Sequence, residues 1–251
     1  MLRQATKFAP HSEEEFRLAY DAGFRNAEFW LNTDLIEDWK SIALRAGNFD
    51  MGYGLHFPNR GKLNAQHLQN VVDLYYALDC SALVIHQPMF DEFGEELYAI
   101  DDSIRLAIEN HNLPSDNKFE QWVEESRWLT LDVEHLWIYT AKDGSLKKML
   151  KYVDWLLDEY GDKLAHVHLP GYQPGQKIHR PQYCSRKMVF QIFTRLADAG
   201  YDGLIVSETL NKFQNPEELR MDVLLQRHWQ NKYESRRTGQ REEELELQEV
   251  G

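Results

Sequence analysis

Seven side chains able to hold a metal or carry a proton stand where short apolar runs stop: Glu28, His56, His86, Glu109, Asp132, His168 and Glu208. They recur on average about every 30 residues, the length of one strand-plus-helix step. In the run Leu164-Ala-His-Val-His-Leu-Pro-Gly171, His166 and His168 are two residues apart and therefore share one side of a strand. A single Glu or His at a strand end is more often a solvated loop residue or a hydrogen-bonded core group. Seven in phase make a different case. Carboxylates gathered out of water repel one another and lose solvation, and a divalent cation removes both objections. The mixture of imidazole and carboxylate suits manganese, zinc, cobalt or iron better than calcium. Magnesium is kept beside them as the harder divalent ion.

The elements that must position these residues alternate along the whole chain. Strands are expected at Arg3 to Phe8, Phe24 to Trp30, Met51 to His56, Ala82 to His86, Ile104 to Glu109, Trp128 to Val133, Leu164 to His168 and Gly203 to Glu208. Ser12-Glu-Glu-Glu15 matches a capping box, and Gly23 closes the helix it opens. Further helices are expected from Thr33 to Arg45, Ala65 to Leu78, Asn117 to Ser126, Ser145 to Tyr160, Ser185 to Ala199 and Pro216 to about Tyr233. The acidic segment Phe90 to Ser103 carries the weakest helical pattern. Asp21-Ala-Gly-Phe24 and Asp198-Ala-Gly-Tyr201 are both helix ends entering a strand, as quasi-repeated βα units would show. Eight units of about 31 residues point to a single (β/α)8 TIM barrel of class α/β over residues 1–233. Residues 234–251 read as a charged C-terminal tail, frayed or flexible. No Gly-x-Gly-x-x-Gly turn follows the first strand to favour an open doubly wound sheet.

A closed barrel brings strand ends to one mouth, where active sites of this architecture lie. The formal net charge of −13, from 28 basic and 41 acidic residues, argues against a nucleic-acid partner. Neither an N-terminal apolar leader nor a membrane-length apolar run is seen, and the two cysteines, Cys80 and Cys184, are far apart in sequence. A cytoplasmic protein with free thiols, not membrane-bound, is the expectation. Homo-oligomerisation is left open.

These residues resemble the xylose-isomerase-like barrels, which include sugar isomerases, ketose epimerases and the metal-dependent apurinic/apyrimidinic (AP) endonucleases. The resemblance runs from Phe24 to Leu210. It rests on Glu109 followed by Asn110, the Asp-x-x-His of Asp132 and His135, the His-x-His of His166 and His168, and the final Glu208. In the epimerase branch it implies one divalent ion held by Glu109, Asp132, His168 and Glu208, with His135 near the substrate oxygens. His166 would sit deeper, as a packed histidine. In the AP endonuclease branch it implies that His56 and His86 are extra ligands and that His179 matches a late histidine. That branch has an Asp two residues before the late histidine, where this sequence has Lys177. A cation cannot replace a carboxylate ligand, so the third metal site reads as broken. From the epimerase branch the chain departs in lacking an arginine at the expected distance after His168, although Arg180 follows His179.

The expected activity is isomerisation or epimerisation of a small sugar or keto-sugar, phosphorylated or not, by proton transfer next to a carbonyl through a metal-stabilised enediolate. The resemblance implies Glu109 and Glu208 as ligands that also carry the proton. A metal-dependent hydrolase or lyase of the AP endonuclease-like branch is the alternative, and a non-catalytic barrel is a third reading. Phe29, Trp30, Phe57, Phe90, Trp137 and Tyr172 flank the strand ends, and ordinary packing is the expectation for at least half of them. Arg60, Lys62, Lys177 and Arg180 are the basic residues of the mouth-side loops.

Overall fold

Eight parallel strands close on themselves in sequence order: β1 (Arg3–Phe8), β2 (Asn26–Trp30), β3 (Gly52–His56), β4 (Leu83–His86), β5 (Leu106–Glu109), β6 (Trp128–Asp132), β7 (Leu164–His168) and β8 (Leu204–Ser207). The computed structural model describes residues 1–176 and 178–249, with side chains as far as Thr238. Because β8 pairs with β1, the sheet has no edge, and the expected (β/α)8 barrel is the observed fold.

The helices outside are α1 (Glu13–Ala22), α2 (Thr33–Glu37), α3 (Trp39–Ala46), α4 (Ala65–Ala77), α5 (Gln87–Ile100) and α6 (Asp116–Glu125). After the single turn α7 (Val133–His135) and a π-helical turn at Leu136–Thr140 come α8 (Leu146–Tyr160), α9 (Arg186–Asp198) and α10 (Pro216–Glu249). The capping box forms as expected, with the Ser12 N–H donating to Glu15 Oε2 at 2.9 Å, and Gly23 ends α1 at φ 109. Two expectations change. The single helix from Thr33 to Arg45 is broken at Asp38, which ends α2 and precedes α3 with φ −87 and ψ 15. Short carboxylates favour such caps over helix interiors, and Arg45 reaches back to Asp38 Oδ2 at 3.1 Å. The acidic segment after β4 is helical as far as Ile100. Pro88 lies in the first turn, where its missing N–H costs nothing, and Met89, Phe93 and Leu97 are buried at helical spacing. Beyond Tyr233, where the charged tail was expected, α10 continues to Glu249, and residues 250–251 lie outside the described residues.

Between strands and helices lies one main apolar core. Phe16 of α1 is wholly buried against Phe8, Phe29 and Phe49, with ring centroids 5.2–5.6 Å apart. Inside the barrel, Gly54 makes room for the site. A Cβ there would lie 3.2 Å from His166 Cε1 and 3.3 Å from Leu204 Cδ1, so the glycine lets the imidazole fill the barrel axis.

Register sets the level of the polar residues. Lys7 pairs with Glu28, Trp30 with His56, His86 with Glu109 and Asp132 with His168. These pairs sit at the strands' C-terminal ends, so their side chains converge on one mouth.

Candidate active site and metal centre

Backbone clamps hold the acids in place. Asn110 Oδ1 accepts the Asp132 N–H at 2.6 Å, and its Nδ2 donates to the Asp132 carbonyl at 2.9 Å, locking the end of β5 to that of β6. Asp132 in turn caps α7, its Oδ1 accepting the His135 N–H at 2.7 Å. The Asp-x-x-His spacing thereby delivers one oxygen to the turn and the other, Oδ2, to the mouth.

At the centre stands His168, fully buried. Its Nε2 donates to Glu28 Oε2 at 2.9 Å, which turns Nδ1 the other way. Nδ1 lies 3.1 Å from Glu208 Oε2, 3.3 Å from Glu109 Oε2 and 3.8 Å from Asp132 Oδ2. Both His168 Nδ1 and Asp132 Oδ2 are buried without a hydrogen-bond partner. With Nδ1 deprotonated, one imidazole lone pair and three carboxylate oxygens would face one another, an arrangement that a cation satisfies. Glu109, Asp132 and His168 offer ligand atoms within 4.8 Å of one another, so the donor set fits a divalent cation with mixed nitrogen and oxygen ligands.

The same crowding sets the protonation pattern. Burial opposes a charge on His168, but Glu28, Glu208 and Glu109 outweigh it and hold its pKa well above the usual imidazole value. Burial works against ionised Glu109 as well, yet His168, His135 and His56 pull its pKa well below the carboxylate range. Glu208 is likewise held low, by Lys7 and His168 against burial. Asp132 moves the opposite way, raised by burial and then by Glu109 and Glu208. His135, although buried, is pushed up to about 10 by Asp132, Glu109 and Glu208, and its Nδ1 is 3.0 Å from Glu109 Oε1.

A second nitrogen pair meets Glu109 from the other side. His56 Nδ1 donates to the Phe57 carbonyl at 2.8 Å, and its Nε2 lies 3.4 Å from Glu109 Oε2. His86 Nε2 is 3.3 Å from the same oxygen. These three residues form a second group with ligand spacing. His166 lies deeper, as expected, with Nε2 2.6 Å from Glu28 Oε2.

Three residues are new to the site, and a fourth, Glu28, is one of the seven strand-end candidates with no assigned role. Lys7 Nζ bridges Glu208 Oε1 at 2.7 Å and Glu28 Oε1 at 3.1 Å. Glu28, read only as a strand end, is the carboxylate that orients both histidines of β7. Glu134 is buried beside Asp132, which with burial raises its pKa to about 8, and its Oε2 accepts the His179 N–H at 2.8 Å. His111 is exposed and stacks on His86 at 4.8 Å. The signal for Lys7 was present, a charged residue near the end of the first strand, but only strand closure shows that it faces Glu208.

The structure brings together Glu109, Asp132, His135, His168, Glu208, His56 and His86. His179 stands at the rim in a left-handed conformation (φ 52), its ring centroid 6.3 Å from that of His135. Arg180 turns aside, its Nη1 donating to Gln176, and lines a separate cavity with Leu210 and Phe213. Lys177 lies outside the described residues. Glu208 is the member of this acid group that lines a cleft of about 790 Å³, whose walls also include Lys7, Trp30, Asn59, His179 and Lys212. Of the six flanking aromatics, Trp30 reaches this cleft, whereas Phe29, Phe57, Trp137 and Tyr172 are buried in the core.

No protein-family model matches the sequence, and no curated protein is significantly similar to it. Several solved structures share the (β/α)8 fold. A D-tagatose 3-epimerase-like protein superimposes with a TM-score of 0.63 at 13% identity, over 94% of this chain and 99% of the other. A protein from Thermus thermophilus, solved after soaking with zinc chloride, gives 0.60 at 16% identity over 89% and 98%. D-allulose 3-epimerase from Methylomonas sp., in complex with D-allulose, gives 0.55 at 17% identity over 89% of each chain. At these identities the correspondence is one of fold.

Proposed function

We propose that the protein is a metal-dependent isomerase or epimerase of a small sugar or keto-sugar. The observation that carries this reading is the convergence of Glu109, Asp132 and Glu208 oxygens on the outward nitrogen of His168. The fold shared with sugar 3-epimerases supports it. Glu109, Asp132, His168 and Glu208 would hold one divalent ion, with manganese, zinc, cobalt and magnesium as candidates. When bound, that ion supplies a Lewis acid that polarises a carbonyl and fixes the neighbouring hydroxyl.

The protein's own groups do the rest. Glu208, which lines the cleft, is the carboxylate placed to take the proton beside the carbonyl. Glu109 rises from β5, on the other side of the barrel mouth, and is held by His135 at 3.0 Å. It is the second proton carrier that inversion at carbon requires. His135, with Nδ1 3.0 Å from Glu109 Oε1, stands beside the ligand group where it can donate to a substrate oxygen. Trp30 offers an apolar face to a sugar ring. A small carbohydrate fits a cleft of this size, whereas the acidic surface disfavours duplex DNA.

A second reading, hydrolysis by an AP endonuclease-like centre, is favoured by one observation: His56, His86 and Glu109 form their own ligand group. Metal content decides between the two. Protein purified without chelator is measured by mass spectrometry beside His168→Ala and Glu208→Ala. One equivalent, lost in both variants, supports the isomerase, and a ketose and aldose panel is then screened for deuterium exchange next to the carbonyl. Two equivalents with metal-dependent nicking of abasic-site DNA would sink it. Folded protein that takes up neither manganese nor zinc would overturn both readings.

A further inference from the structure

We propose that Lys7 is a positioning residue that leaves Glu208 a single oxygen with which to meet a cation. The inference rests on the reading of Glu109, Asp132, His168 and Glu208 as cation ligands. It starts from barrel closure, because β1 pairs with β2 on one side and β8 on the other. A lysine near the end of β1 therefore falls between Glu28 of β2 and Glu208, the residue after β8.

The four side chains close a ring. Lys7 Nζ donates to Glu208 Oε1 at 2.7 Å and pairs with Glu28 Oε1 at 3.1 Å. Glu28 Oε2 accepts from His168 Nε2 at 2.9 Å, and His168 Nδ1 lies 3.1 Å from Glu208 Oε2. Each carboxylate gives one oxygen to the ammonium and the other to the imidazole. Carboxylates bind cations through one oxygen or both, and the choice sets coordination number. With Oε1 engaged by Lys7, Glu208 turns only Oε2 toward Glu109, Asp132 and His168. The Lys7 side chain is 9% exposed, so water cannot readily take over its two contacts. Its role is to keep a coordination position free for substrate and to hold Glu208 in line as a base.

Cobalt(II) alone is the probe, because its visible absorption weakens as coordination number rises. Full-length protein stripped of metal is titrated with Co²⁺ as wild type, Lys7→Met and Lys7→Gln, with circular dichroism as the check on folding. The expected result is a shifted visible band of lower intensity in both variants, as the released Glu208 oxygen joins the ion. An unchanged band in a folded variant would overturn the proposal. Failure of both variants to fold would make Lys7 a stability residue and overturn it equally. Wild type that takes up no Co²⁺ would instead bring down the ligand reading itself, which separates the two failures.

Discussion

His168 Nε2 donates to Glu28 Oε2 at 2.9 Å, and this hydrogen bond decides which nitrogen the histidine shows to the three acids above it. Outer carboxylates of this kind fix tautomer and ring orientation, and losing one typically weakens metal affinity by about 10–100-fold. Glu28→Gln is therefore expected to lower affinity for Mn²⁺ or Zn²⁺ by about that factor while the fold is kept. Competition against a chelator reads the change. Unaltered affinity would remove Glu28 from the metal's support.

Glu208→Gln keeps the size of the side chain and an oxygen, but not the basicity. Proton transfer by a positioned side chain contributes about 10²–10⁴-fold, and a loss of that order in deuterium exchange is expected with the metal retained. A variant with its metal and full turnover would take Glu208 out of the chemistry.

Asp222 supplies a pH dependence away from the site. It is buried under β8, accepting from Ser207 Oγ at 2.6 Å and from the Tyr183 N–H at 3.1 Å. Burial raises its pKa from 3.8 to about 6, with Glu218 adding to the rise. A raised folded-state pKa means that the native protein holds the proton more tightly than the unfolded chain. The stabilisation is complete below about pH 4 and is lost as pH rises through about 6, a change of about 3 kcal/mol. Urea unfolding across this window is expected to show stability falling with pH, with a flatter slope in Asp222→Asn. Identical slopes would contradict the assignment.

Phe16→Ala tests the core that carries the first two strands. Phe16 is wholly buried among Phe8, Phe29 and Phe49, and truncations of this kind cost about 3–5 kcal/mol. A lower urea midpoint at unchanged slope is expected. A loss below about 1 kcal/mol would mean that the helices close over the gap.

The alternation of apolar runs and helical periods determined the barrel, because strand and helix periods are local properties of the chain. Seven strand-end residues could be read for the same reason, because each follows an apolar run at the same phase; it was the resemblance, not the phase, that singled out Glu109, Asp132, His168 and Glu208. The tertiary structure decided what those residues face. The helix break at Asp38 and the helix after Pro88 use local signals, a capping carboxylate and a first-turn proline, whose outcome only the packed structure decides. Lys7 showed in the sequence only as a charge near the end of the first strand, because its two partners, Glu28 and Glu208, stand on opposite sides of β1 and meet it only when the eighth strand pairs with the first. Glu28 looked like one more strand end until register set it beneath His168. Side-chain identity and phase can be read along the chain, whereas the pairing of charges depends on closure of the sheet, which joins residues about 200 positions apart.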